Sequence, residues 1–243
     1  MTLANRPLYL QVRDALAERI ASGGLRPGAA IPSENDLARE IGVSAGTVRK
    51  ALQLMETDRL IVRHQGRGTF VSDLTSDEHA GRFTRLHSPD GRRVHGQIKS
   101  VEVARGVAGE LERERLQLAA GAEVYRVRRV RQHDSAAFLV EDAALPAELF
   151  PGLGERDHIA DPITVLAQEH GILLGNAQER VAAAVPPPAV ARILRTAPDT
   201  PVVVLDRVVF TMDNRRPVEW RLAHGHLPGC YYMAELGWRA NVG

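Results

Sequence analysis

The 243-residue chain is 44% hydrophobic and 25% charged, a globular composition that sets aside long disordered or low-complexity chains. No apolar run approaches the length that crosses a bilayer, and the single cysteine, Cys230, excludes an internal disulfide or a multi-cysteine metal site. The net charge of +1 hides an asymmetry: residues 1–72 carry ten Arg or Lys against seven Asp or Glu, and the rest 21 against 23, which suits a mildly basic nucleic-acid-binding head on a neutral body. The length suits two domains. Residues 1–7 carry no secretory signal, so the expected location is the cytoplasm with no membrane partner.

In chain order, Tyr9, Val12, Leu16 and Ile20 fall on one face of a helix from Leu8 to Ala21. Gly23-Gly24 ends it, and Arg26-Pro27-Gly28 turns the chain. Ser33 is the expected N-cap of a second helix whose first turn is acidic, with Leu37 and Ile41 facing inward. Gly42-Val43 is the next turn, and Ser44 caps a third helix. Its buried stripe is Val48, Ala51, Leu52 and Met55, and its opposite face shows Thr47, Arg49, Lys50 and Gln53.

Two short helices around a tight turn form a helix-turn-helix, which sets the start of its second helix against base edges. Ser44 and Thr47 offer hydroxyls, Gly46 permits close backbone approach, and Arg49 is the candidate for a bidentate contact to guanine or to a phosphate. A solvated polar helix face is the alternative reading of that helix alone. The following segment, a strand at 60–63, a turn at His64-Gln65-Gly66 and a return strand at 67–71, is a basic hairpin. Arg67 between Gly66 and Gly68 is placed to enter an adjacent minor groove.

Residues 7–71 resemble the DNA-binding domain of the GntR family of bacterial regulators. The resemblance rests on Pro7-Leu8-Tyr9, Arg26-Pro27-Gly28, Ile31-Pro32-Ser33-Glu34, Leu37-Ala38, Gly42-Val43-Ser44, Thr47-Val48-Arg49-Lys50-Ala51-Leu52 and Gly66-Arg67-Gly68-Thr69-Phe70-Val71. It implies DNA contacts from Ser33, Glu34, Ser44, Gly46, Thr47, Arg49 and Lys50 of the helices. From the hairpin it implies His64, Gly66, Arg67, Gly68 and Thr69. Two departures stand out. Ala45 occupies the place of the family's usual arginine, removing one base or phosphate contact. Arg59 replaces the glycine at the end of the third helix, where a left-handed backbone costs about 1 kcal/mol.

Residues 73–81 read as a polar interdomain linker. Beyond it strands are expected over 94–103, 124–131, 138–145, 179–185, 202–211 and 218–226. Helices are expected over 109–116, 161–170 and 188–195, and turns at His133-Asp134-Ser135 and Asp213-Asn214. The order implies an α+β domain with a mainly antiparallel sheet. Arg129 and Arg131 point to one sheet face, with Tyr125 and Val127 deeper on it. If Gln132 pairs with Phe138, Arg129 opposes Glu141. The cluster is either an anion-binding site or a surface ion-pair ladder.

Residues 82–236 resemble the effector-binding (UTRA) domain of the HutC subfamily, with its chorismate-lyase-like fold. The carrying stretches are Phe83-Thr84-Arg85-Leu86, Gly91-Arg92-Arg93, 116–124, Arg129-Val130-Arg131, Glu141 with Leu145-Pro146, Leu205-Asp206-Arg207 and Pro217-Val218-Glu219. The resemblance implies a pocket lined by Arg129, Arg131, Glu141 and Glu219, with the Phe83-Thr84 loop holding a phosphate or carboxylate. Where many members carry Tyr-Arg, this chain has Gly225-His226, which removes a tyrosine wall and adds an imidazole at His226.

The expected architecture is a winged helix-turn-helix over 1–72, a linker over 73–81 and an effector domain over 82–243. The expected function is regulation of transcription, most simply repression relieved when a small anionic metabolite frees the operator. The expected partners are double-stranded operator DNA bearing an inverted repeat and a second copy of the chain. Enzyme motifs are absent: no His-Glu-x-x-His, Gly-x-Ser-x-Gly or phosphate loop occurs, and neither Lys50 nor Lys99 suits a Schiff base. His224-x-His226 lacks a third metal ligand and reads as ordinary strand polarity. No cofactor, metal or catalytic residue is expected.

Overall fold

The computed structural model describes residues 6–58, 60–72, 83, 85–133, 136–156, 159, 161–213 and 215–234. The expected linker 73–81, Arg59, Thr84, Asp134-Ser135 and Asn214 lie outside the described residues.

Helices α1 (Leu8–Ala21), α2 (Glu34–Ile41) and α3 (Ala45–Thr57) form where the apolar spacing places them. Ser33 accepts a hydrogen bond from Asp36 N–H and Ser44 one from Thr47 N–H, so two orphan amides at helix starts are satisfied. Gly42 ends α2 in the left-handed region at φ 77°, which costs a residue without Cβ nothing. Leu16, Leu37, Val48, Ala51 and Met55 are completely buried and form one core with Leu52, Leu60, Ile61 and Val71. Hairpin strands β1 (Ile61–His64) and β2 (Gly68–Val71) start one residue later than expected, with Gln65-Gly66-Arg67 at the tip. Backbone bonds from Gly28 N–H to Val71 O and from Ile31 N–H to Thr69 O tie the hairpin to the preceding turn.

The second region is a six-stranded sheet in the order β4-β5-β6-β9-β8-β7. Its strands are β4 (Gln97–Val107), β5 (Glu123–His133), β6 (Ala136–Pro146), β7 (Leu174–Ala184), β8 (Val202–Thr211) and β9 (Pro217–Gly225). The pairs β4·β5, β5·β6 and β6·β9 are antiparallel. Short helices α4 (Glu110–Leu116), α5 (Ile163–Glu169) and α6 (Pro188–Leu194) connect them, and two-residue strands β3 (Leu86–His87) and β10 (Tyr231–Tyr232) pair with each other. By contacts the chain divides into two compact units. One comprises 1–80, 162–176 and 210–215, and the other 81–161, 177–209 and 216–243. Within the first, Leu173 and Met212 pack against the three-helix core.

The largest departures from the sequence expectation are in β4, in β7 and in the β5·β6 register. β4 begins three residues late because Gly96 turns the chain at φ 61°, and the Phe138 ring lies 2.5 Å from where a Cβ would stand. It then runs on past Gly106 to pair Val107 with Glu123. β7 begins at Leu174, five residues early, and its Gly175-Asn176 dipeptide masks the strand pattern. A register shift after Arg131 pairs Gln132 with Ala137 rather than Phe138, which becomes the extra residue of a bulge. Arg129 nonetheless opposes Glu141, as expected.

Candidate functional site

In the first unit, the exposed start of α3 and the hairpin tip carry the expected DNA-contacting groups. Ser44 Oγ and Thr47 Oγ1 lie 2.8 Å apart at the head of α3. Arg49 Nε donates to Glu34 Oε2 at 2.8 Å, and Arg63 reaches Glu34 at 3.7 Å and Glu56 at 3.1 Å. Glu34 is therefore a positioning residue: a carboxylate repels phosphate, but here it aims one exposed guanidinium and steadies another. Lys50 Nζ sits 4.0 Å above the Tyr9 ring, a cation–π contact that orients its ammonium. His64 packs its ring against Phe70. Arg67 N–H bonds His64 O at 2.9 Å, and Gly66 and Gly68 take φ 70° and 110°, leaving the Arg67 side chain on an exposed tip. Arg63, Glu56 and Tyr9 were not in the expected contact set, because their roles arise from packing between α1, α3 and β1.

In the second unit, alternation along the strands brings the expected pocket residues to one face of the sheet. Arg129 is 3% exposed; its Nε reaches Ile159 O at 3.3 Å and its Nη1 lies 3.8 Å from Glu219. Arg131 donates from Nε to Glu141 at 3.0 Å and from Nη1 to His95 O at 2.9 Å. Glu141, 1% exposed, also accepts from Arg221. Glu179 accepts from Arg207 at 2.7 Å and from the Tyr232 hydroxyl at 2.7 Å, and lies 3.5 Å from Arg221. Arg207 donates to Phe83 O, and its guanidinium lies 5.6 Å from the Phe83 ring centre. His226 stands beyond β9, where its backbone N–H bonds Phe138 O.

The electrostatics follow from burial. Desolvation alone would raise the Glu141 carboxyl, yet Arg131, Arg221, Arg129 and Arg207 hold it down at about 2. Burial, reinforced by repulsion from Arg221, lowers Arg207 to about 10, which still leaves it charged at neutral pH. Arg129 is lowered by burial against the pull of Glu219 and Glu141. Burial and the bond to Glu179 push the Tyr232 hydroxyl to about 12. Four guanidinium groups (Arg129, Arg131, Arg207, Arg221) thus face three carboxylates (Glu141, Glu179, Glu219), and Arg129 Nη2 and Arg221 Nε are buried without a hydrogen-bond partner. Arg85, Arg131, Arg207 and Arg221 line a small void of about 10 Å³, the size of one water.

A wider cleft of about 370 Å³ opens on the opposite sheet face beside Trp220 and Leu222. Its arginines are already taken: Glu112 holds Arg126 at 2.6 Å and Asp142 holds Arg128 at 2.6 Å. The small cavity is therefore the candidate site, because the arginines of the wider cleft are each held by a carboxylate. Arg207 and Arg221 line it, and Glu179 holds Arg207 and Tyr232 behind it, although the sequence reading passed over all four as site residues. Arg207 stood in a quoted motif, and the i, i+2 spacing of Glu219 and Arg221 was the signal for Arg221.

Two family models match the chain, one in each region. The model of the bacterial regulatory proteins of the gntR family matches residues 8–71, and that of the UTRA domain matches residues 91–227. The mannosyl-D-glycerate transport/metabolism system repressor MngR of Escherichia coli is 26% identical over 216 residues, covering 88% of this chain and 89% of its own. The HTH-type regulator GgaR of the same organism is 28% identical over 227 residues, covering 90% and 87%. Among solved structures, PhnF of Mycobacterium smegmatis superposes with a TM-score of 0.56 at 24% identity, covering 94% of this chain and all of its own. The ligand-binding domain of a Bordetella bronchiseptica protein assigned to the GntR regulators gives 0.57 at 25% identity, over 64% of this chain and 98% of that one. Among the described residues no helix is long and apolar enough to cross a membrane. A helix-turn-helix with a basic wing, followed by a sheet domain of UTRA type, places the chain in the GntR family of bacterial transcription regulators, in the arrangement typical of HutC members, as a DNA-binding regulator rather than an enzyme.

Proposed function

We propose that this regulator is a repressor that grips an operator as a homodimer and lets go when a small anion enters the arginine-lined cavity. The functional division runs 1–72 for DNA, 73–81 as linker and 82–243 for the effector. The observation that carries the reading is the buried charge imbalance: four guanidinium groups against three carboxylates, with two guanidinium nitrogens unpaired. A buried guanidinium N–H without an acceptor is costly, and an anion that supplies one binds with the strength of charge-assisted hydrogen bonds.

The same arginines hold both ends of the 83–95 segment, Arg207 at Phe83 O and Arg131 at His95 O. A ligand that takes over those N–H groups loosens the segment directly after the linker. Ligand and DNA then oppose each other because they favour different arrangements of one chain. The DNA side rests on Ser44, Thr47, Arg49 and Lys50 of α3 and on Arg67 of the hairpin, with Ser33 and Glu34 shaping the approach. Two such heads related by a twofold axis match an inverted repeat.

The test is fluorescence anisotropy with duplexes from the protein's own promoter region at low salt. Wild type binds one palindromic fragment as a dimer, and Arg49→Ala weakens that complex by about 1–3 kcal/mol if the side chain reads a base. Indifference of the wild type to every promoter fragment, or light scattering that shows only monomer at micromolar concentration, refutes the reading.

A further inference from the structure

The walls of the arginine cavity say what the anion is attached to. Besides its arginines the cavity is lined by Leu86, Val94, Leu139 and Leu205. Every polar side chain in that lining is a guanidinium, which donates hydrogen bonds and accepts none. Neither Glu141 nor Glu179 belongs to that lining, and each already accepts from two groups, Glu141 from Arg131 and Arg221 and Glu179 from Arg207 and Tyr232. A polyhydroxylated ligand brings O–H donors, and here they would meet leucine or a guanidinium. A buried donor with no acceptor forfeits the hydrogen bonds it made to water.

Gly225 sharpens the point. A Cβ at that position would stand 2.8 Å from Leu139 Cδ1 and 3.5 Å from Leu227 Cδ1, so the absence of a side chain there is what lets Leu139 form its wall. The four apolar residues belong to two sides of the site. Leu86 and Val94 are joined by a backbone bond from Val94 N–H to Leu86 O, and Leu139 and Leu205 come from the sheet, all four in one buried cluster.

Resting on the anion pocket proposed above, we infer that the effector is a carboxylate on a small apolar body, aromatic or branched aliphatic, and not a sugar or a sugar phosphate. Its carboxylate replaces the carbonyl oxygens of Phe83 and His95 on Arg207 and Arg131, and its body lies between the leucines. The void holds about 10 Å³, so entry displaces the segment that carries Leu86 and Val94.

The experiment is calorimetric titration of the full chain with phenylacetate, gluconate and glucose 6-phosphate. Phenylacetate is expected to bind at least about tenfold more tightly than either of the others. Arg85→Gln, at an exposed lining position, and Arg131→Gln should each weaken phenylacetate by about tenfold, and Leu205→Thr should narrow its margin over gluconate. A preference for gluconate or glucose 6-phosphate that the same arginine substitutions weaken overturns the apolar body and leaves the anion pocket standing. Binding of none of the three, or binding indifferent to both arginine substitutions, overturns the pocket and this inference with it.

Discussion

Glu141→Gln is the perturbation that reads the buried cluster most directly. The amide keeps the shape of the carboxyl but cannot neutralise Arg131 and Arg221, which both donate to it. Two routes give the size of the effect. A carboxyl held at about 2 in the folded protein against an ordinary value of 4.5 stabilises the fold by about 3 kcal/mol at neutral pH. Removing one partner of a buried pair costs about 3–5 kcal/mol. The sign follows from the lowered value: the contribution is complete above about pH 5 and is lost as pH falls toward 2. Urea denaturation followed by tryptophan fluorescence, with Trp220 in the strand adjoining Glu141, provides the assay. At pH 7 the variant should unfold at a lower midpoint by an amount corresponding to about 3 kcal/mol, and between pH 5 and 2 its stability should fall less steeply than that of the wild type. A wild-type midpoint at pH 7, or parallel acid profiles for the two proteins, would refute the claim that Glu141 anchors the cluster.

Two further expectations test the scaffold. Ser44→Ala removes the cap that accepts from Thr47 N–H and should cost about 1 kcal/mol in thermal unfolding; an unchanged melting temperature would discount the cap. Gly96→Ala places a Cβ 2.5 Å from the Phe138 ring and 2.7 Å from Gln132 O at a positive φ, so it should destabilise by more than about 1 kcal/mol and shift the chemical environment of Phe138 in NMR spectra. A silent substitution there would mean that the turn before β4 is not held by this contact.

The helix-turn-helix was legible because its cues are local. Caps at Ser33 and Ser44, the left-handed Gly42 and an apolar stripe at i, i+3, i+4 and i+7 lie within a few residues of the bonds and contacts they produce. The opposition of Arg129 to Glu141 was also within reach, since a hairpin joins those strands, although the bulge at Phe138 moved the pairing at Gln132. Less of the effector cavity could be read. The i, i+2 rule places Arg129 with Arg131 and Glu219 with Arg221, but nothing local says that β9 runs beside β6 and brings Arg221 onto Glu141.

Alone, the order of residues determined the class of each region, the start of α3 and the strand face on which Arg129 and Arg131 stand. Tertiary structure decided which charges meet: Glu179 with Arg207 and Tyr232, Arg221 with Glu141, and four guanidinium groups beside a wall of leucine and valine. The reason is range. Capping and periodicity act over a turn of helix or a pair of strand residues, whereas the desolvation that makes an unmatched charge matter depends on side chains far apart in sequence closing over it together.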